Sequence, residues 1–257
     1  MPKASEGQLP DISAWQSQVL RLTAFPLQVL PSLEQSWWND LVGEPPENSV
    51  SQPRKPMRED EGSFERGTLT LKVGPKRIDW LYTARLHPEE ETEEIPNTGN
   101  LPGPVERFLD LMRQWLPACP ATKRLAFGAV LVQPVDNRAS GYDLLNKYLH
   151  CVEVDGDSTD LLYRINRPRD SASGITALRV NRLSSWSVMK VQRALCEISA
   201  DEAIHEKIGP ESFACRLELD MNTQPEFENE LPREHMPQLL DELINLGLEI
   251  ASKGDVK

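Results

Sequence analysis

Thr68-Leu69-Thr70-Leu71-Lys72-Val73, a turn at Gly74-Pro75-Lys76, and Ile78-Asp79-Trp80-Leu81-Tyr82 read together as one antiparallel hairpin. Leu69, Leu71 and Val73 alternate with polar residues, and Ile78, Trp80 and Tyr82 repeat the pattern after the turn. A period of two means one buried face and one wet face. Phe213-Ala214-Cys215-Arg216-Leu217-Glu218-Leu219-Asp220-Met221 alternates in the same way. Lys123 to Val135 is apolar on both parities, as a strand covered on both faces should be. Such strands, mixed with helical segments, predict an α+β fold with mainly antiparallel sheets.

Upstream of the hairpin, Ala14 to Leu27 reads as a strand ended by Pro26. Leu30, Leu33, Trp37 and Leu41 have helical spacing, with Pro31 and Ser32 at the start and Gly43 at the end. Glu44 to Gly62, rich in proline and mixed charge, reads as a linker-like loop. Downstream, His87 to Asn100 is a glutamate-rich loop. Pro102 and Pro104 open a helix with Val105, Phe108, Leu109, Met112 and Leu116 on one face. A break near Pro117 to Thr122 divides the chain into halves 1–118 and 119–257, each like a split β-α-β unit, as two layers or one joined sheet. The second half continues with a helix from Tyr142 to Leu149 and a loop or edge from Val152 to Asp160. Leu161 to Ile165 and Ile175 to Leu183 form a hairpin; Trp186 to Ser199 reads as a strand. A last amphipathic helix runs from about Pro232 to Ser252, giving three to four helices in all.

The chain has 257 residues, enough to bury a sizeable core, and a formal net charge of −12. That acidity disfavours nucleic acid as a partner, because affinity for it comes mainly from neutralising phosphates. No apolar run reaches the length of a membrane span, and the N-terminus lacks the apolar core of a secretory signal. Cys119, Cys151, Cys196 and Cys215 form no C-x-x-C pair, which suits free thiols in a reducing, cytoplasmic setting.

Catalytic and metal signatures fail one by one. His87, His150, His205 and His235 form no His-x-x-His or His-x-His pair, so no metal is expected. Asp155, Asp157 and Asp160 resemble a calcium loop, but its sixth and twelfth positions are Asp160 and Asn166 rather than Gly and Glu. Neither a nucleophile elbow nor a glycine-rich phosphate loop occurs. No cofactor and no catalytic residue are expected.

Two tetrads stand out: Arg164-Ile165-Asn166-Arg167 and Arg179-Val180-Asn181-Arg182, fifteen residues apart. Guanidinium groups are fixed, always-charged forks suited to carboxylate or phosphate. The expected binding residues are Arg164, Arg167, Arg169, Arg179 and Arg182. In a strand, i and i+3 face opposite sides, so each tetrad divides its arginines between two faces. Internal partners for them would be Glu153, Asp160 and Asp170. Trp38 adjoins Trp37 on the first helix; adjacent helical positions diverge by about 100°, so Trp38 is expected as an exposed interface anchor or packed under the proline-rich loop.

Arg124-Leu125-Ala126-Phe127-Gly128-Ala129-Val130-Leu131 and Leu217-Glu218-Leu219-Asp220-Met221-Asn222 resemble segments of a sporadically distributed family of uncharacterised bacterial proteins. The chain departs from the family's strand, which turns polar where this one has Val130 to Gln133. That family has no assigned catalysis, and the resemblance implies an accessory role in mobile or antiviral defence (CRISPR-type) loci. The expected function is a non-enzymatic adaptor or regulator that binds an acidic protein partner through the arginine hairpin. The alternatives are a nucleic-acid or nucleotide-binding module using the same hairpin, and an enzyme whose site is assembled from scattered acids and arginines.

Overall fold

The hairpin forms as β4 (Gly67–Gly74) and β5 (Arg77–Ala84), with Leu69 opposite Tyr82, Leu71 opposite Trp80 and Val73 opposite Ile78. The computed structural model describes residues 8–52, 56–85, 94–198 and 204–256, with backbone alone for 193–198 and 204–208. His87 and Glu89 to Glu93, and the side chains of Cys196 and His205, therefore lie outside the described residues. Around the hairpin stand β1 (Gln16–Pro26), α1 (Trp37–Val42), β2 (Asn48–Gln52), β3 (Met57–Phe64) and α2 (Gly103–Trp115). Next come β6 (Thr122–Val135), α3 (Arg138–Tyr148), β7 (Leu162–Asn166), β8 (Arg169–Asp170), β9 (Arg179–Ile198), β10 (Ile204–Thr223) and α4 (Met236–Lys253).

The fold is α+β. The strands form one sheet in the order β2-β3-β4-β5-β1-β6-β10-β9-β7, with β8 beside β9, and every pairing is antiparallel. β1 pairs with β6 from Gln16 to Pro26, so the sheet is continuous across the sequence break between residues 118 and 119.

Alternation decides which face is covered. Leu20, Leu22, Leu71, Trp80, Phe127, Leu131, Leu217 and Met221 share one face of the sheet and are fully buried. The α-helices pack there. Gly247 of α4 lies flat against Leu219, Phe127 and Met221, and a Cβ at Gly141 of α3 would come within 2.9 Å of Val188. Trp115 of α2 meets Trp80 edge-on at 6.0 Å, and Trp15 donates its Nε1–H to the Ala251 carbonyl at 2.9 Å. No described helix is long and apolar enough to cross a membrane.

Several segments differ from the sequence reading. Ile175 to Leu183 and Trp186 to Ser199, read as two strands, are largely one strand, β9, which begins at Arg179, and β7 pairs with its residues 183–187 rather than with Ile175 to Leu183. Residues 44–62 are not a loop: β2 and β3 form a hairpin there. The pattern hides it because β2 is exposed throughout and because β3 turns Arg58, Asp60 and Gly62 towards the helices instead of apolar side chains. Asp60 is buried but satisfied by Ser49 Oγ and the Arg58 guanidinium. The first helix is shorter than its spacing suggested; Leu30 and Leu33 pack on the core from irregular chain, and only Trp37–Val42 is helical. Its C-cap is Gly43 in the left-handed region, as the sequence indicated. α3 begins at Arg138, four residues earlier than read, because Asn137 and Ser140 make a reciprocal capping box.

Of the two placements read for Trp38, the packed one holds and the exposed interface anchor is corrected. Trp38 is 2% exposed, stacks on Trp80 at 6.2 Å, covers Gly62 and donates its Nε1–H to the Glu44 carbonyl. The β2–β3 hairpin closes over the ring, so no solvent-facing anchor remains. All six tryptophans lie in the layer between sheet and helices. Truncating a buried indole costs about 3–5 kcal/mol. Trp38→Ala is therefore expected to lower Tm by about 10 °C in calorimetry; a shift below about 2 °C would return Trp38 to the surface.

Candidate functional site

The arginine island is divided by strand geometry. β7 pairs with β9 so that Arg164 faces Ser185 and Asn166 faces Leu183, while the Arg167 amide reaches the Arg182 carbonyl. The tetrads are thus joined at their ends rather than laid side by side. Their asparagines meet: Asn166 Nδ2 donates to Asn181 Oδ1 at 2.9 Å. The fourth residue of each tetrad turns to the helix side, and the first turns to the helix-free side.

On the helix side, the C-terminal turn of α4 receives the charge. Gly254, at φ +79°, ends the helix against Tyr148; a Cβ there would lie 2.1 Å from the Tyr148 carbonyl oxygen. This turn seats Asp255 against Arg167, whose Nε and Nη2 donate to its two carboxylate oxygens at 2.5 and 2.7 Å. Tyr163 Oη donates to the same carboxylate at 2.7 Å. Arg182, 2% exposed, donates to Glu249 at 3.2 Å, and Arg169 approaches the same carboxylate at 3.7 Å. The negative end of the α4 dipole reinforces both anchors. Arg179 pairs with Asp170 at 3.3 Å.

The site residues therefore separate. Arg167, Arg169, Arg179 and Arg182 have internal carboxylate partners. Of the three acids named from sequence, Asp170 alone is one of them; Glu249 and Asp255 come from the distant end of the chain. Arg164 is exposed and has no ion pair among the described residues.

Arg164 points into a trough on the helix-free face. The trough is a cavity of about 450 Å³ over the sheet centre, lined among others by Arg21, Gly128, Leu183, Ser185, Glu218 and Asp220. Pairing explains its shape. Arg21, Gly128, Asp220 and Leu183 occupy one row across β1, β6, β10 and β9. Gly128 has no side chain, so the Arg21 guanidinium lies over it, with Nη2 3.2 Å from where a Cβ would stand. Arg21 Nε is buried and has no hydrogen-bond partner among the described residues. Glu218 pairs with Arg216, and Asp220 accepts from Asn222 Nδ2 at 3.0 Å.

Two clusters flank the trough along the same face. At one end Ile95 covers Val132 and Ala214, with Met189 and Val191 beside them, and Gln18 holds the Pro96 carbonyl. At the other, Asn166, Asn181, Asn222 and Arg124 form a hydrogen-bonded ladder across four strands. Phe25 continues it, with the Arg124 guanidinium 5.0 Å from its ring centroid. Compared with protein-family models, with curated proteins and with solved structures, the chain matches none of them.

Sequence reading found Arg164 but missed Arg21, Ser185, Glu218 and Asp220. Each is a polar position in an alternating strand, indistinguishable from an ordinary wet face until the strand order is known. The thiols also differ: Cys119 and Cys215 are buried, and burial pushes them up to about 11 and about 12, while Cys151 is exposed beside Tyr163. Among the described residues no three His, Cys, Asp or Glu side chains converge as metal ligands.

The Arg167 hydrogen bonds hold the Asp255 carboxyl down to about 2, against the opposing effect of burial. A carboxylate depressed on folding stabilises above its unfolded value, near 3.8, and loses that contribution as pH falls towards about 2. The Tm advantage of wild type over Asp255→Asn should be full above about pH 5 and shrink towards about pH 2; a pH-independent gap would refute the linkage. Breaking a buried pair is costly, so Arg182→Ala should lose about 3 kcal/mol in urea unfolding, against less than about 0.5 for Arg164→Ala.

Proposed function

We propose that the protein is a non-enzymatic binding module that holds an acidic segment of a partner protein in the trough on its helix-free sheet face. One observation carries this reading. Arg21 and Arg164 line a single trough without an ion pair among the described residues, in a chain of net charge −12 whose other tetrad arginines are all matched by carboxylates. Carboxylates of a partner would supply what these two guanidinium groups lack. Apolar walls from Val19, Val130 and Leu183 would take the aliphatic parts of the same segment.

Glu218 and Asp220 give the reading its selectivity. A uniform polyanion such as a nucleic-acid backbone would meet these two carboxylates in the same trough, whereas a peptide can place its acids only where the arginines are. Among the described residues that line the trough there is also no aromatic platform on which single-stranded bases could stack. The family resemblance makes another component of a bacterial defence locus the first partner to examine.

The test is co-purification from native host cells with three forms of the chain. Wild type and Arg179→Ala should retain one stoichiometric partner; Arg21→Ala with Arg164→Ala should lose it at least about tenfold. Binding should weaken between about 50 and about 300 mM salt. Equal capture by the double variant would overturn the reading.

A further inference from the structure

β2 is one edge of the sheet, and each of its five residues is exposed. One side of its backbone pairs with β3. On the other side, among the described residues, no strand stands beside its amide and carbonyl groups, which form a template for another strand. Edge strands are usually blunted by a charge, a proline or a bulge. β2 has none of these; its pairing to β3 runs from Asn48 to Gln52 without a register shift.

The sequence of this edge is a near-palindrome: Asn48-Ser49-Val50-Ser51-Gln52. An antiparallel strand pair around a two-fold axis needs a segment that complements itself. Centred on Val50, the pairing sets Asn48 against the second copy's Gln52, Ser49 against Ser51, and Val50 against Val50. Amide meets amide, hydroxyl meets hydroxyl and a β-branched apolar side chain meets its own kind; each is a favourable cross-strand pair and none sets like charges opposite each other. Val50 is 52% exposed, one of the few large apolar side chains left in solvent. We infer that β2 pairs antiparallel with β2 of a second copy of this chain, centred on Val50, so that two sheets become one.

The axis stands perpendicular to the sheet, because paired residues keep their side chains on the same face. Both troughs therefore open on the same side of the doubled sheet. If the troughs bind a partner, the dimer presents them as a bivalent surface; the dimer itself does not depend on that reading. Two five-residue strands bury less than the roughly 1,200 Å² of a stable interface, so the association is a weak, transient one. Two copies of net charge −12 repel, and salt screens repulsion. Dimerisation should therefore strengthen with salt, opposite to the expected behaviour of the trough.

Analytical ultracentrifugation of the full chain from about 1 to about 200 µM tests this directly. Wild type should shift from monomer to dimer, and Val50→Lys, which sets two ammonium groups against each other, should weaken association at least about tenfold with Tm unchanged. Register is tested in a Cys151→Ser, Cys196→Ser background. Val50→Cys should oxidise to a disulfide dimer; Ser49→Cys alone should not, but should when mixed with Ser51→Cys. A monomer throughout, or equal cross-linking by Ser49→Cys alone and Val50→Cys, overturns the inference. A wild-type chain that binds its partner through the trough but stays monomeric would sink this inference alone, and a wild-type dimer without trough binding would sink only the trough reading.

Discussion

The antiparallel seating of β6 between β1 and β10 is the constraint on which the rest depends. It joins the two halves of the chain into one sheet. It places Leu125, Phe127, Ala129 and Leu131 on the helix-covered face, where Gly247 of α4 lies against Phe127. It also places Gly128 in the middle of the other face. Because β6 has no side chain there, the Arg21 guanidinium from β1 can lie over it. One strand thus makes the core on one side and the floor of the trough on the other, and two-residue periodicity links them.

The arginine tetrads show how a basic motif can be mostly structural. Their fourth residues, Arg167 and Arg182, tie the end of α4 to the β7–β9 edge through Asp255 and Glu249. Burying such groups is favourable only when they are paired and hydrogen-bonded, and a helix C-terminus supplies both carboxylates and carbonyl dipoles. Their third residues, Asn166 and Asn181, begin the amide ladder that flanks the trough. Of the tetrad arginines only Arg164 has no ion pair among the described residues, and Arg21, which shares its trough, lies more than a hundred residues earlier in sequence. What singles out these two is their place: both line the one trough, while the other three tetrad arginines are matched by carboxylates.

Much of the fold was legible because alternation and capping are local. β4, β5, β6 and the central part of β10 follow from which residues are apolar at every second position, and α2 and α4 from apolar stripes bounded by proline and glycine. β2 and β3 were illegible because an edge hairpin needs no apolar face, and its one buried carboxylate, Asp60, is satisfied by neighbours from both strands. Trp38 was ambiguous because its burial depends on that same hairpin closing above it. The candidate site was less legible still: Arg164 stood out as part of a repeat, while Arg21, Glu218 and Asp220 looked like any wet positions of their strands.

By itself the sequence determined the α+β class, the central strands, the main helices and the division of each tetrad between two faces, because these rest on periods of two and 3.6 within short windows. Tertiary structure alone decided which face the helices cover, which carboxylates meet which arginines, and that Arg21 and Arg164 share one trough. Those facts depend on strand order and on contacts between distant residues, such as Arg182 with Glu249, and a linear pattern carries neither.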